Sequence, residues 1–286
     1  MGLAEPLHKF AANQFVTLGR EHRLLPLIRR RLAAAHVARL GLKALHGPMT
    51  GFELAPGAVW GESDHLLKLL GLYEQPLLTA MAVGGPWRRF YNVGAADGFY
   101  GVGMLTAGLA EASICWEMEA ASRTLIAQTA RLNGETDRLN GETDRITVFG
   151  EADETLSEAE GDLAPGAGDL VLVDIEGFEY TLLSDEFLSR CAAATVMAEL
   201  HPFLVDDGAE KEAALIARAR QRFDVSFIDD CMKDLTGVDE LRACSNDERW
   251  LLCSEAREAM MRWRVLPPNP CFMLSHIVPF HIDIAC

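Results

Sequence analysis

From Arg89 onward, short apolar runs alternate with longer stretches of mixed polarity. Seven such runs read as strands: Phe90–Val93, Ser113–Glu117, Ile146–Phe149, Leu170–Asp174, Thr195–Leu200, Asp224–Ile228 and Trp250–Cys253. The first five recur about 25 residues apart, which leaves room for a crossover helix each time and predicts a parallel sheet of βαβ units. The last two are joined by a longer polar stretch, Asp229 to Arg249.

Upstream the periodicity is helical. Leu24, Leu25, Ile28, Leu32 and Ala35 recur at helical spacing among arginines, predicting an amphipathic helix laid over one edge of the core. Gly47 to Gly61 is rich in Gly and Pro and reads as a linker. Ser63 and Asp64 then offer N-caps for a helix carrying Leu66, Leu67, Leu69 and Leu70. The expected division is a helical extension over 1–85, a nucleotide-binding α/β domain over 86–256 and a tail over 257–286.

An identical tandem repeat interrupts the pattern: Arg131-Leu-Asn-Gly-Glu-Thr-Asp137 is followed at once by Arg138-Leu-Asn-Gly-Glu-Thr-Asp144. Two short units do not make a solenoid. The repeat reads as a duplication accepted at a surface connection, because lengthening a loop costs little free energy.

Composition narrows the class. The 286 residues are 49% hydrophobic and 24% charged, as in ordinary globular chains. A formal charge of −16 repels phosphate backbones and argues against a nucleic-acid substrate. The one basic cluster, Arg20 to Arg39 around Arg29, Arg30 and Arg31, reads first as a solvated helix face and second as a docking surface for an acidic partner. Seven cysteines, an odd number without a Cys-x-x-Cys pair, fit a reducing cytoplasm better than a disulfide framework. There is no basic-then-apolar leader pattern and no apolar run of membrane-spanning length, so no membrane span is expected.

The candidate chemistry sits where the predicted strands end. In Phe90-Tyr-Asn-Val-Gly94-Ala-Ala-Asp97-Gly98-Phe-Tyr100 an apolar strand runs into a glycine turn and then a helix. The spacing Gly94-x-x-x-Gly98 is not the G-x-G-x-x-G that cradles a pyrophosphate. Asp97 inside the turn would repel a phosphate and attract a cation such as a sulfonium or an ammonium; the alternative is that it only caps the next helix. In Ile114-Cys-Trp-Glu117-Met118-Glu119 the next strand ends in acid, about 20 residues on, where nucleotide folds hold ribose hydroxyls. Ile146-Thr-Val-Phe-Gly150-Glu151-Ala152-Asp153 places Glu151 and Ala152 over an adenine, or in an ordinary solvated loop. Leu170-Val-Leu-Val-Asp174-Ile-Glu176-Gly-Phe-Glu179-Tyr180 delivers Asp174 and Glu176 to the same edge, with Glu179 starting a helix. Val196-Met-Ala-Glu199-Leu-His201-Pro202 adds Glu199 and a histidine able to act as a base near neutral pH.

In this order the five segments resemble the FkbM-type family of S-adenosylmethionine-dependent methyltransferases. The likeness is strongest in Asn92-Val-Gly-Ala-Ala-Asp-Gly98 and in Val173-Asp-Ile-Glu-Gly-Phe-Glu-Tyr180, and it extends to Glu199-Leu-His201 and, upstream, to Gly71-Leu-Tyr-Glu-Gln-Pro76. The resemblance implies a Rossmann-like α/β fold: a seven-stranded, mostly parallel sheet with one antiparallel strand and helices on both faces. It implies transfer of a methyl group to an oxygen. Asn92, Gly94, Ala95, Asp97, Gly98, Glu117 and Met118, with Glu151 and Ala152, would hold S-adenosyl-L-methionine. Asp174, Glu176, Glu199 and His201 would face a small-molecule or sugar acceptor. Ala96 stands where the family often has Asn, and Met118 where Pro is common.

Alignment of oxygen, methyl carbon and sulfur would supply most of the catalysis. His201 is the first candidate base and Asp174 the second. Asp174, Glu199 and His201 are also hard-ligand types, but their spacing matches no metal motif, so no metal is assigned. Two other functions compete: a nicotinamide-dependent oxidoreductase on a similar sheet, and a binding module that has lost turnover. The N-terminal helices could lid the cleft or form a homodimer surface.

Overall fold

The computed structural model describes residues 24–57, 64–135, 145–159, 161–255 and 262–269. Its centre is a sheet of seven strands: β1 (Trp87–Val93), β2 (Ala110–Trp116), β3 (Ile146–Phe149), β4 (Asp169–Val173), β5 (Thr195–Glu199), β6 (Ser226–Asp229) and β7 (Arg262–Leu266). The strand order is β3-β2-β1-β4-β5-β7-β6. β3, β2, β1, β4 and β5 pair in parallel, and β7 runs antiparallel to both its neighbours. This is the Rossmann-like methyltransferase arrangement that the resemblance implies.

Six of the seven expected strands form, most of them close to their predicted limits. The seventh does not. Trp250–Cys253 lies in a helix, Asn246–Cys253, opened by a capping box in which Ser245 and Glu248 exchange hydrogen bonds. The capping box satisfies the helix's first amides, and the short apolar run Trp250-Leu-Leu-Cys253 is too brief for periodicity to separate strand from helix. The last strand is Arg262–Leu266, inside the stretch expected to be a tail.

Alternate residues of the central strands feed two cores, because successive side chains point to opposite faces. Phe90, Leu170, Leu172 and Met197 belong to one core. Tyr91, Val93, Val171, Val173, Val196 and Ala198 belong to the other.

Before the sheet come α1 (Leu24–Leu40), α2 (His65–Leu69) and α3 (Gln75–Gly84). Helices α4 (Phe99–Thr106) and α5 (Ala120–Leu132) follow β1 and β2, and α6 (Glu179–Leu182), α7 (Asp185–Arg190) and α8 (Gly208–Ala219) attend the other half of the sheet; the helix at Asn246–Cys253 is α9. The stripe expected to face the core in α1 is displaced. Leu25, Leu27 and Ile28 are exposed, whereas Arg29 and Ala33 are buried and Val37 and Leu40 are half-buried against the cluster that α2 and α9 share. Arg29 is fixed by Asp64, which binds its guanidinium and does not cap α2 through its side chain. Arg30 and Arg31 are exposed, and Arg20 and Arg23 lie outside the described residues. The expected linker is packed structure as far as Gly57: Lys43 bridges Glu53, and Met49, Phe52 and Leu54 are buried in the core beside the first face of the sheet. The second copy of the tandem repeat lies outside the described residues. Within the first copy, Asn133 bonds both the N–H and the C=O of Glu53, and Glu135 binds Arg145.

Candidate functional site

The strand order reverses between β1 and β4, so a crevice opens above their C-terminal ends. The glycine turn after β1 and the acidic loop after β4 face each other across it. Gly94 has φ +86°, and a Cβ there would fall 1.8 Å from the Asp174 carbonyl oxygen. Only glycine permits both that conformation and that approach.

Most backbone N–H groups of the turn are already bonded to protein acceptors. The N–H groups of Gly94 and Ala95 both donate to Trp116 O, that of Gly98 donates to Ala95 O, that of Ala96 to Glu117 Oε2, and that of Phe99 to Asp97 Oδ1. A phosphate nest needs such donors unspent. Glu117 is buried at the end of β2 and spends its other oxygen on the N–H of Glu119 at 2.8 Å. The strand-end acid therefore helps to build the turn.

Asp97 is buried and bound to Lys68 Nζ at 2.7 Å. Burial works against its charge, but Lys68, together with the N–H of Phe99, outweighs it and holds the carboxyl below its ordinary range. Lys68 comes from α2, and its ammonium lies 5.1 Å from the Phe99 ring centroid and 5.3 Å from that of Tyr73. Asp97 is thus more than a helix cap, and its partner comes from the N-terminal region.

Asn92, on β1 below the turn, is buried, and among the described residues neither its amide nitrogen nor its oxygen has a hydrogen-bond partner. Such a group is costly to bury without a partner. Of the remaining expected cofactor residues, Met118 is exposed beyond Glu117, Glu151 is exposed after β3 and Ala152 is half-buried against the second core.

Across the crevice, the loop after β4 is pinned from below. Glu179 is fully buried and accepts the N–H of Ile175 at 3.1 Å and of Gly177 at 2.9 Å. It also bonds His201 Nδ1 at 2.9 Å. The loop turns sharply, with Glu176 at φ +53° and Gly177 at φ +104°. His201 Nε2 faces Glu176, Asp174 and Glu199 at 3.6, 3.8 and 3.9 Å. Burial opposes a charged ring, yet the hydrogen bond to Glu179 and the charges of Asp174, Glu179 and Glu176 raise the His201 pKa above 6.5. The four residues expected to face an acceptor are therefore brought together.

Sequence reasoning missed the site roles of three residues: Lys68, Glu179 and Glu74. Glu74 starts α3 in a left-handed conformation, is buried, and accepts the Tyr100 hydroxyl. Carboxylate oxygens of Glu74, Asp174 and Glu199 lie within 4.8 Å of one another, as do ligand atoms of Asp174, Glu179 and His201. Either set suits a cation, though Glu179 is already spent on backbone amides. Beside Glu74 lies a shallow surface cleft bordered by Leu77, Ile228, Asp230, Glu255 and Trp263. Glu74 and Glu179 do lie within the segments Gly71–Pro76 and Val173–Tyr180 that carry the family resemblance, whereas nothing in the chain singles out Lys68.

The chain matches no protein-family model and no curated protein. Among solved structures it is similar to cofactor-bound Rv0187 from MTB (15% identity, TM-score 0.43, covering 84% of this chain and 91% of that one). It is also similar to an O-methyltransferase from Bacillus cereus in complex with SAH (10%, 0.41, 84% and 90%). A third is a ribosomal protein L11 methylase from Lactobacillus delbrueckii subsp. bulgaricus (16%, 0.41, 76% and 85%).

Proposed function

We propose that this protein is an S-adenosyl-L-methionine-dependent methyltransferase of the FkbM type that methylates a hydroxyl of a small molecule or sugar. The observation that carries this is the chemistry of the crevice between β1 and β4. Its glycine turn has given its backbone donors to protein acceptors, with Asp97 and Glu117 bound into the turn, and Asp174 and Glu199 stand together beside Glu74 on the other side. Such a crevice suits a positively charged sulfur compound and disfavours a dinucleotide pyrophosphate. The residues fit the cofactor: Glu117 for ribose hydroxyls, Asp97 for an ammonium, and the unsatisfied Asn92 at the foot of the turn.

When bound, the cofactor supplies a methyl group already activated on a sulfonium. What remains for the chain is to align the acceptor, exclude water and take a proton. His201 Nε2, when neutral, is the first choice to accept the hydroxyl proton, with Asp174 beside it as the second. Glu176 and Glu199 stabilise the imidazolium that results. Phe178, Phe203 and Leu204 are exposed on the loops that carry Glu176 and His201 and offer apolar surface to the body of an acceptor.

Titration calorimetry with S-adenosylhomocysteine and with NAD tests the assignment. Binding of the first and not the second is expected; the reverse would sink it. If S-adenosylhomocysteine binds, methyl transfer in His201→Ala and Asp174→Ala variants locates the base.

A further inference from the structure

The buried pair between Lys68 and Asp97 is poorly explained as a source of stability. Both side chains are less than a tenth exposed, and removing two charges from water costs about as much as their attraction returns. Lys68 lies outside the sheet domain, on a five-residue helix, yet its ammonium reaches into the glycine turn. It makes one hydrogen bond there among the described residues, although an ammonium has three donors.

The cofactor proposed above ends in an amino acid, with a carboxylate beside an ammonium. Its carboxylate needs donors, and the turn's backbone has few left: the N–H groups of Gly94, Ala95, Ala96, Gly98 and Phe99 are all donated to protein acceptors. We infer that Lys68 and Asp97 form a zwitterion-binding pair, Lys68 receiving the carboxylate and Asp97 the ammonium of the cofactor's amino-acid end. Four charges then alternate in sign. Without ligand the pair neutralises itself, so neither charge is left buried and alone. The Tyr73 and Phe99 rings flank the Lys68 ammonium and limit where it can move. The N-terminal region thereby contributes a cofactor contact, not only a cover for the sheet.

This inference rests on the methyltransferase assignment, and two ligands separate the two ideas. S-adenosylhomocysteine carries the amino-acid end; 5′-methylthioadenosine has the same adenosine and thioether without it. Wild-type protein is expected to bind the first at least about tenfold more tightly, the worth of a charge-assisted hydrogen bond. In Lys68→Met and in Asp97→Asn the preference should fall to within about threefold while 5′-methylthioadenosine binds as before, and Lys68→Arg should retain most of it. An unchanged preference in Lys68→Met, or a parallel loss of both ligands, would overturn the inference, since Lys68 would then act only through folding. Equal binding of the two by wild-type protein would overturn it too. Wild-type protein that takes neither compound would instead refute the methyltransferase assignment.

Discussion

Glu179 holds His201 by Nδ1 at 2.9 Å while the same carboxylate ties down the N–H groups of Ile175 and Gly177. One buried acid therefore sets the shape of the β4 loop and the orientation of the histidine beside it. The ring is left with Nε2 turned toward Asp174, Glu176 and Glu199. Acid–histidine pairs of this kind fix both tautomer and basicity.

The effect on titration can be measured without knowing the acceptor. His201 should titrate above the ordinary histidine range in NMR spectra of its imidazole, identified by loss of the signal in His201→Asn. Glu179→Gln should move the midpoint back toward acid, because it removes the hydrogen bond and one of the charges that raise it. If His201 is the base, methyl transfer should rise with pH through its raised pKa, since only the neutral ring accepts a proton. An unmoved midpoint in Glu179→Gln would refute this account of the pair.

Asp97 should make the protein sensitive to acid. Its carboxyl is held below the unfolded value, so its contribution is present above about pH 4 and is lost as pH falls through the folded value. Lys68→Met removes that advantage. The gap in urea midpoint between wild type and Lys68→Met should therefore shrink as the pH is lowered from about 5 to about 3. A constant gap would mean that the ion pair is not its source.

Two glycines with similar backbone angles should respond very differently to alanine. At Gly94 a methyl would collide with the Asp174 carbonyl, whereas at Gly108, φ +67°, it would meet nothing within 4 Å. Gly108→Ala should cost about 1–2 kcal/mol from backbone conformation alone. Gly94→Ala should cost about 3–5 kcal/mol and abolish binding of S-adenosylhomocysteine. Denaturant unfolding of both variants gives the comparison; equal costs would contradict the close approach of the two loops.

Within the tandem repeat, the position of a residue should matter more than the number of copies. Asn133 pairs with both backbone groups of Glu53 and with Thr129 O, so Asn133→Ala should lose about 1–3 kcal/mol. Deleting 138–144, which the sequence reads as part of a surface connection, should change stability by less than about 1 kcal/mol, because the length of such a connection enters only logarithmically. A deletion that unfolds the protein would show that the duplication is structural.

The parallel half of the sheet, the glycine turn and the acids at the strand ends were legible in the chain because they are local. A buried strand is a run of apolar residues, and the residues next in the chain necessarily stand at its tip. The alternation of Phe90 and Asn92 against Tyr91 and Val93 even assigns each residue its face. Other features depend on which segments meet. Trp250–Cys253 is short and apolar, and its capping box and the later pairing of Arg262–Leu266 with β5 decide the outcome. In α1, hydrophobicity pointed to Leu25 and Ile28, but the partner helices and Asp64 select the face that buries Arg29 and Ala33. Lys68 and Asp97 lie 29 residues apart and Glu179 and His201 22 apart, with no periodicity to link them. The chain alone determines which charges a strand end carries; only the closed fold decides which of them share a buried site, because a charge deprived of water must find its partner through space.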